Sequence, residues 1–177
     1  MNLPKKKYKI VYADPPWSYN DKCHSGKRGA CHKYDLMSDQ EIYSMDIDLI
    51  SADDCILFMW ATFPKIQEAL NAIHDWGFAY KTIAFNWVKT NKKSGSIFMG
   101  MGMWTRSNSE VCLLATKGKP KRISASVQSV ILAPMLGHSK KPDEIRDHIV
   151  DLCGDLPRIE LFARKKTDGW DAWGNEI

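Results

Sequence analysis

Apolar positions along this chain recur with two different periods. Residues 8–13 are an apolar run broken only by Lys9 and residues 55–60 a continuous one, bounded by Asp53 and Asp54, and both predict buried strands. Residues 80–88 alternate in part, 111–116 form a further run, 129–132 a short one and 158–163 the last; each predicts a strand. Between them the spacing turns helical. Ile66, Ala69, Leu70 and Ile73 follow Pro64, which suits a first helical position, and Gly77 ends the pattern. Pro142 opens a second helix, with Ile145, Ile149, Leu152 and Cys153 on one face and Gly154 as its stop. Ser38-Asp39-Gln40-Glu41 has the spacing of a capping box and predicts a short helix. Residues 20–34, 90–107, 117–125 and 133–141 read as loops. Buried strands interleaved with amphipathic helices predict a three-layer α/β domain with a mostly parallel sheet, residues 1–177 forming a single domain. In such sheets ligands bind beyond the carboxyl ends of the strands. Asp14 follows the first strand and Arg164 the last, so both line one crevice if those strands are neighbours.

Composition narrows the class. The 177 residues allow one domain with a proper core, and 44% hydrophobic with 26% charged residues is an ordinary soluble mixture. No apolar run is long enough to span a bilayer, and the basic N-terminus lacks an apolar signal core, so the expectation is a cytoplasmic protein. Five scattered cysteines, an odd number, argue against a disulfide framework. The net charge of +4 is concentrated in predicted loops: Lys5 to Lys7, Lys27-Arg28, Lys92-Lys93, Lys117 to Arg122, Lys140-Lys141 and Arg164 to Lys166. Lysines on loops are commonly plain solvated surface, but so many around one small domain favour a polyanionic partner, nucleic acid above all. Seven tryptophans add stacking capacity, although most are expected in the core.

The first strand ends in Asp14-Pro15-Pro16-Trp17. Two prolines fix φ and remove two N–H groups, and Pro15 pushes Asp14 into extended backbone. The turn holds a carboxylate, free carbonyls and an aromatic face, which suits a planar ring bearing an amine; a Pro-rich turn with an incidental acid is the plainer reading. Gly100-Met101-Gly102 lacks the third glycine and the following helix of a dinucleotide fingerprint, and reads as loop flexibility. No P-loop is present. Cys23-His24 and Cys31-His32 lack the usual spacing of structural zinc ligands, and a polar, basic loop without metal is the favoured reading. Asp143 and Glu144 complement the start of the second helix; Lys141 does not. It is either solvated or shares an anion with the helix N-terminus, and the anion reading is favoured. Past the last strand, alternation places Phe162 and Arg164 on one side, and Asn175 and Glu176 in the tail could bond ribose hydroxyls.

These motifs resemble, over nearly the whole chain, the adenine-N6 methyltransferases related to the catalytic subunit of the eukaryotic mRNA N6-methyladenosine writer, and within them the bacterial and phage branch. The anchors are Ala13 to Trp17, Tyr34 with Met37-Ser38, Trp87 to Asn91, Trp104 to Glu110, Lys117-Gly118, His138 with Lys141 to Glu144, Ile159 to Phe162 with Arg164, and Trp170 with Gly174-Asn175. Each alone is weak; that many in this order is specific. The resemblance implies a Rossmann-like class I methyltransferase fold with permuted motif order, the catalytic motif preceding the cofactor strand, and S-adenosyl-L-methionine as cofactor. It implies Asp14, Pro15, Pro16 and Trp17 as the catalytic motif, with Asp14 also beside the cofactor. It implies Tyr34, Lys89, Asn91, Trp104, Arg106 and Asn108 on the substrate side. Lys141, Phe162, Arg164, Thr167, Asn175 and Glu176 fall on the cofactor side, and no metal is implied. Only thirteen residues precede Asp14, so the upstream acid that relatives can use for the cofactor's adenine has no counterpart here, and residues 20–33 are particular to this chain.

The function expected is methylation of adenine N6 in DNA, with RNA as the nearest variant. Cytosine methylation is disfavoured, since cytosine enzymes more often begin this motif with Ser. A non-catalytic nucleic-acid-binding partner of the same fold is the alternative from another class, and the intact Asp14 and Trp17 speak against it. A homodimer is a further possibility.

Overall fold

The computed structural model describes residues 3–19, 37–102, 104–136 and 140–177. Its seven-stranded sheet has the order β5-β3-β4-β2-β1-β6-β7. The strands are β1 (Tyr8–Ala13), β2 (Ser51–Ala61), β3 (Ala79–Thr90), β4 (Ser109–Lys117), β5 (Val130–Pro134), β6 (Arg158–Leu161) and β7 (Asp171–Trp173), and the helices are α1 (Asp39–Tyr43), α2 (Ile66–Asp75) and α3 (Ile145–Cys153). The β1–β2, β1–β6, β3–β5 and β6–β7 pairings are parallel. Only β4 runs against its neighbours β2 and β3. The mostly parallel α/β sheet expected from the pattern is therefore present, in a Rossmann-like arrangement.

Why β1 and β2 lack alternation is clear from what covers them. Val11, Ala13, Leu57 and Met59 pack with Ile42 of α1 and with Ala69, Ala72, Ile73 and Trp76 of α2. Ile10, Tyr12, Phe58 and Trp60 point the other way, onto Ile145, Ile149 and Cys153 of α3. A strand buried on both faces needs apolar residues at every position. The chain leaves β1 for β2 over the α1/α2 face, and α3 delivers it to β6 on the opposite face. The strand order reverses between the paired β1 and β6, the position at which such sheets open a crevice beyond the strand ends.

Local signals held where they were short-range. Ser38 caps α1 in a full capping box with Glu41. Five of the tryptophans (17, 60, 76, 87 and 170) are buried. Boundaries moved where tertiary partners took over. Pro64 lies in a 3-10 turn, Phe63–Lys65, and α2 starts only at Ile66. There the buried Lys65 ammonium ties Asp39 of α1 at 3.0 Å to Glu68 of α2 at 3.1 Å. Strand β2 begins at Ser51 and passes straight through Asp53 and Asp54, because Asp54 accepts the Lys119 N–H at 2.6 Å beside its partner strand. Helix α3 starts at Ile145, not at Pro142, which leaves Lys141 ahead of the helix and clear of its dipole. The short β7 escaped notice, its three residues being too few to carry a period.

One ion pair lies inside the second core layer. Arg146 of α3 donates to Glu160 of β6 through Nε at 2.8 Å and through a terminal nitrogen at 2.7 Å, each residue 8% exposed, with the guanidinium over the Tyr12 ring. Removing one partner of a buried pair strands the other, at a cost of about 3–5 kcal/mol. Arg146→Ala is expected to lose about that much in urea unfolding, and Arg146→Ala with Glu160→Ala clearly less than the sum of the singles. Additive losses would show that the pair does not couple α3 to β6.

Candidate active site

At the carboxyl ends of β1, β2 and β6 a cavity of about 330 Å³ opens. One wall is Asp14 to Trp17 with Tyr19 and Met37; another is Trp60 to Thr62 at the end of β2; a third is Phe162 to Arg164 with Trp173 to Glu176. Glu110 and Lys141 complete it.

The stiff turn after β1 is fixed from several sides. The Trp17 N–H donates to the Pro15 carbonyl at 2.8 Å, and Met37 N–H to the Pro16 carbonyl at 3.2 Å. The indole Nε1 of Trp17 donates to the Trp60 carbonyl at 3.1 Å, which sets the ring's orientation. Met37 bridges Trp17, so the segment that leaves after Tyr19 returns beside the motif. Tyr34, His138 and the Cys23-His24 and Cys31-His32 pairs lie outside the described residues.

Four alternating charges line up along the cavity. Lys141 Nζ donates to both carboxylate oxygens of Asp14 at 2.7 Å. It also lies 3.3 Å from Glu110, which pairs at 2.5 Å with Lys89. Burial pushes the Asp14 carboxyl above the ordinary aspartate value, Lys141 opposes that shift, and the Glu110 charge adds to it. Burial opposes the charge of Lys141, but Asp14 and Glu110 outweigh it and hold the ammonium above the ordinary lysine range. Burial likewise opposes ionisation of Glu110, yet Lys141 and Lys89 hold it below the usual carboxylate value. The Lys141 ammonium also faces the Trp60 ring at 5.5 Å.

The opposite wall carries strain. Phe162 sits at φ 60°, the one non-glycine residue among those described with positive φ. The strand ends at Leu161, so the alternation assumed through residue 164 breaks here, although Phe162 and Arg164 both reach the cavity. Trp173 packs edge-on against Phe162 at 5.6 Å, and Ala163 N–H bonds the Trp173 carbonyl at 3.0 Å. Arg164 pairs with Glu176 at 3.5 Å. Among the described residues the buried Trp173 Nε1–H has no acceptor.

Of the residues named from sequence, Asp14, Pro15, Pro16, Trp17, Lys141, Phe162, Arg164, Asn175 and Glu176 meet at the cavity. Lys89, Asn91, Trp104, Arg106, Asn108 and Thr167 do not line it. Lys89 reaches it through Glu110, and Asn91 spends its amide on Ser96 and Ile97. Glu110 was missed as a site residue, although it ends one anchor of the resemblance, Trp104 to Glu110, and stands as an acid directly before an apolar strand. The charged loops also separate. Because β4 is antiparallel, with Cys55 opposite Lys117 and Ala61 opposite Val111, Lys117 to Arg122 leave the sheet at the edge away from Asp14. Lys92, Lys93, Arg106 and Arg164 to Lys166 belong to the near edge. Among the described residues no cluster of His, Cys, Asp and Glu is arranged to hold a metal, and no helix is long and apolar enough to cross a membrane.

Known proteins share this layout of motifs. The MT-A70 family pattern matches residues 8–176. The Type II methyltransferase M.MunI of a Mycoplasma species is 37% identical, over 99% of this chain and 80% of its own length. The N(6)-adenosine-methyltransferase catalytic subunit METTL3 of Homo sapiens is 30% identical over 97% of this chain but 28% of its own, and the MT-A70-like protein of Drosophila melanogaster is 30% identical over 97% and 27%. With the match running from β1 to the last residues of the cavity wall, the chain belongs to the MT-A70 family of methyltransferases.

Proposed function

We propose that this chain transfers a methyl group from S-adenosyl-L-methionine to the N6 amine of adenine in DNA. The observation that carries this reading is the Asp14 carboxylate, held by Lys141 at the end of β1 and open to a cavity with aromatic walls. DNA stands ahead of RNA because the relative matched over most of both lengths is a Type II methyltransferase, whereas the adenosine methyltransferases align over little more than a quarter of theirs. The basic near edge of the sheet suits either polyanion.

The residues present fit the cofactor. The alternating array of Lys89, Glu110, Lys141 and Asp14 sums to no net charge, and offers both a cation and an anion to the zwitterionic amino-acid end. In this assignment Lys141 would attract the carboxylate by its charge, sharing donors now directed at Asp14 and Glu110. The polar groups of Arg164, Asn175 and Glu176 face the ribose, and the orphaned Trp173 Nε1–H supplies an unused donor on the Phe162 wall. When bound, the cofactor supplies a methyl group already activated on its sulfonium.

What remains for the protein is the amine, a weak nucleophile because its lone pair is delocalised into the ring. Each Asp14 oxygen accepts one hydrogen bond from Lys141 and keeps a further lone pair. The Pro15 carbonyl accepts from Trp17 N–H and likewise keeps one. The two acceptors take the two amine hydrogens and let the nitrogen pyramidalise, while Trp17, its ring held by Trp60, flanks the base. As the N–C bond forms, positive charge grows on nitrogen and both contacts strengthen, which is stabilisation specific to the transition state. The proton leaves the nitrogen after transfer, so Asp14 acts as an oriented acceptor and need not be a strong base.

Asp14→Ala is expected to lower methyl incorporation from labelled cofactor by roughly a hundredfold or more while leaving the cofactor dissociation constant within a few-fold in calorimetry. Retained incorporation would remove Asp14 from the chemistry. Since only ionised Asp14 accepts both contacts, and burial raises its pKa, kcat/KM is expected to fall on the acid side with a midpoint above the ordinary 3.8. A midpoint at or below that value contradicts the assignment. Lys141→Ala removes a charge-assisted contact and is expected to weaken cofactor binding by roughly tenfold or more. An unchanged dissociation constant would leave Lys141 as a counter-ion for Asp14 and Glu110 alone.

A further inference from the structure

Residues 91–108 join β3 to β4 at the edge of the sheet where Asp14 lies, and their roots touch the charged array through the Lys89–Glu110 pair. The segment makes a tight turn at 91–96, where Asn91 and Ser96 are bonded, and then a narrow hairpin. Phe98 N–H bonds the Lys89 carbonyl and Lys89 N–H the Asn108 carbonyl, both at 2.8 Å, and Gly100 N–H bonds the Ser107 carbonyl at 3.1 Å. A Cβ on Gly100 would lie 2.1 Å from the Ser107 oxygen, and one on Gly102 2.0 Å from the Thr105 oxygen. These glycines are required by the close approach of two backbones, and the flexibility expected of them from sequence is not their role.

This braced hairpin holds apolar side chains out in solvent. Met101 is 84% exposed and Trp104 98%. Tryptophan is ordinarily well covered, and none of the described residues covers this one. Arg106 lies two residues from it on the same hairpin, Lys92 and Lys93 sit in the turn that precedes the hairpin, and residues 91–108 contain no acid. An apolar tip on a segment whose charges are all positive fits a polyanion with aromatic faces, which is nucleic acid, better than it fits a second copy of a chain that is itself net positive.

We infer that Trp104 is a wedge: it enters the base stack of duplex DNA and fills the gap left when the target adenine turns out of the helix into the cavity. This rests on the proposed methylation of adenine in DNA and deepens it by naming the strand state. An amine inside a duplex cannot reach a carboxylate on the floor of a cavity, so the base must be extruded, at the cost of its stacking. An inserted side chain recovers part of that stacking. In single-stranded DNA there is little to recover, and the demand on Trp104 is smaller.

The test uses a long, heterogeneous unmethylated DNA, native and heat-denatured, with labelled cofactor and with wild-type, Trp104→Ala and Trp104→Phe proteins. Thermal unfolding serves as the folding control, which an exposed side chain is not expected to move. In Trp104→Ala the ratio of duplex to single-strand methylation is expected to fall roughly tenfold, and Trp104→Phe should restore most of it. An unchanged ratio with active wild-type protein overturns the wedge and leaves the methylation reading intact. So does a change of sedimentation on substitution, which would make the tip an interface between copies. Wild-type protein that modifies neither DNA overturns the methylation reading, and the wedge with it.

Discussion

A lysine without water has to be held by anions, and that requirement organises this fold. Lys141 is almost wholly enclosed, and its charge is maintained by Asp14 on one side and Glu110 on the other. The two acids come from different strands. Asp14 lies at the end of β1, while Glu110 lies near the start of β4, which runs antiparallel and so brings its beginning to the edge where β1 ends. The reversal of β4 in an otherwise parallel sheet thereby gains a purpose: a parallel β4 would deliver Glu110 to the far edge. Lys89, at the end of β3, then balances Glu110. Three strands and the approach to α3 are tied to one row of charges.

Trp60 is the apolar counterpart of that row. Its carbonyl receives the Trp17 indole N–H, its own indole donates to the Tyr12 hydroxyl at 2.7 Å, and its ring lies against the Lys141 ammonium. The Tyr12 ring in turn stacks beneath Arg146, which is locked to Glu160. The Asp14 carboxylate, the proposed acceptor of the amine, is therefore connected, through two strands, to the buried ion pair between α3 and β6. Strain sits on the other wall, where Phe162 is held at positive φ by Trp173 and the β7 backbone. A residue in that region costs of order 1–3 kcal/mol, and the surrounding contacts must offset it.

Much of this was legible before any coordinates. An apolar run, two prolines and an acid are local facts, and β1 with its turn followed from them. The capping box at Ser38 is equally local. Glu110 was not legible, because its role depends on β4 lying antiparallel beside β2, and no period in the chain encodes strand direction. Lys141 was expected to share one anion with the helix N-terminus, because Pro142 suggested that the helix begins there; the helix starts at Ile145, and the anions that hold Lys141 are side chains distant in sequence. The basic loops looked equivalent in sequence, yet topology sends Lys117 to Arg122 to one edge and Lys92, Lys93 and Arg106 to the other.

The row of charges also bears on what kind of acceptor Asp14 is. A carboxylate raised by burial alone would hold its proton more tightly and would be a better base. Here the same ammonium that occupies one lone pair on each oxygen also pulls the pKa part of the way back down, so the gain in basicity from burial is limited while direction is retained. For an amine whose proton becomes acidic only once the methyl has arrived, direction is the property that counts: an acceptor that seized the proton early would gain nothing, because the neutral amine does not release it. In the proposed reaction the Lys141 pairing thus favours the oriented acceptor over the strong base, and the Pro15-Pro16 turn, which offers carbonyls rather than further acids, would make the same choice on the second hydrogen.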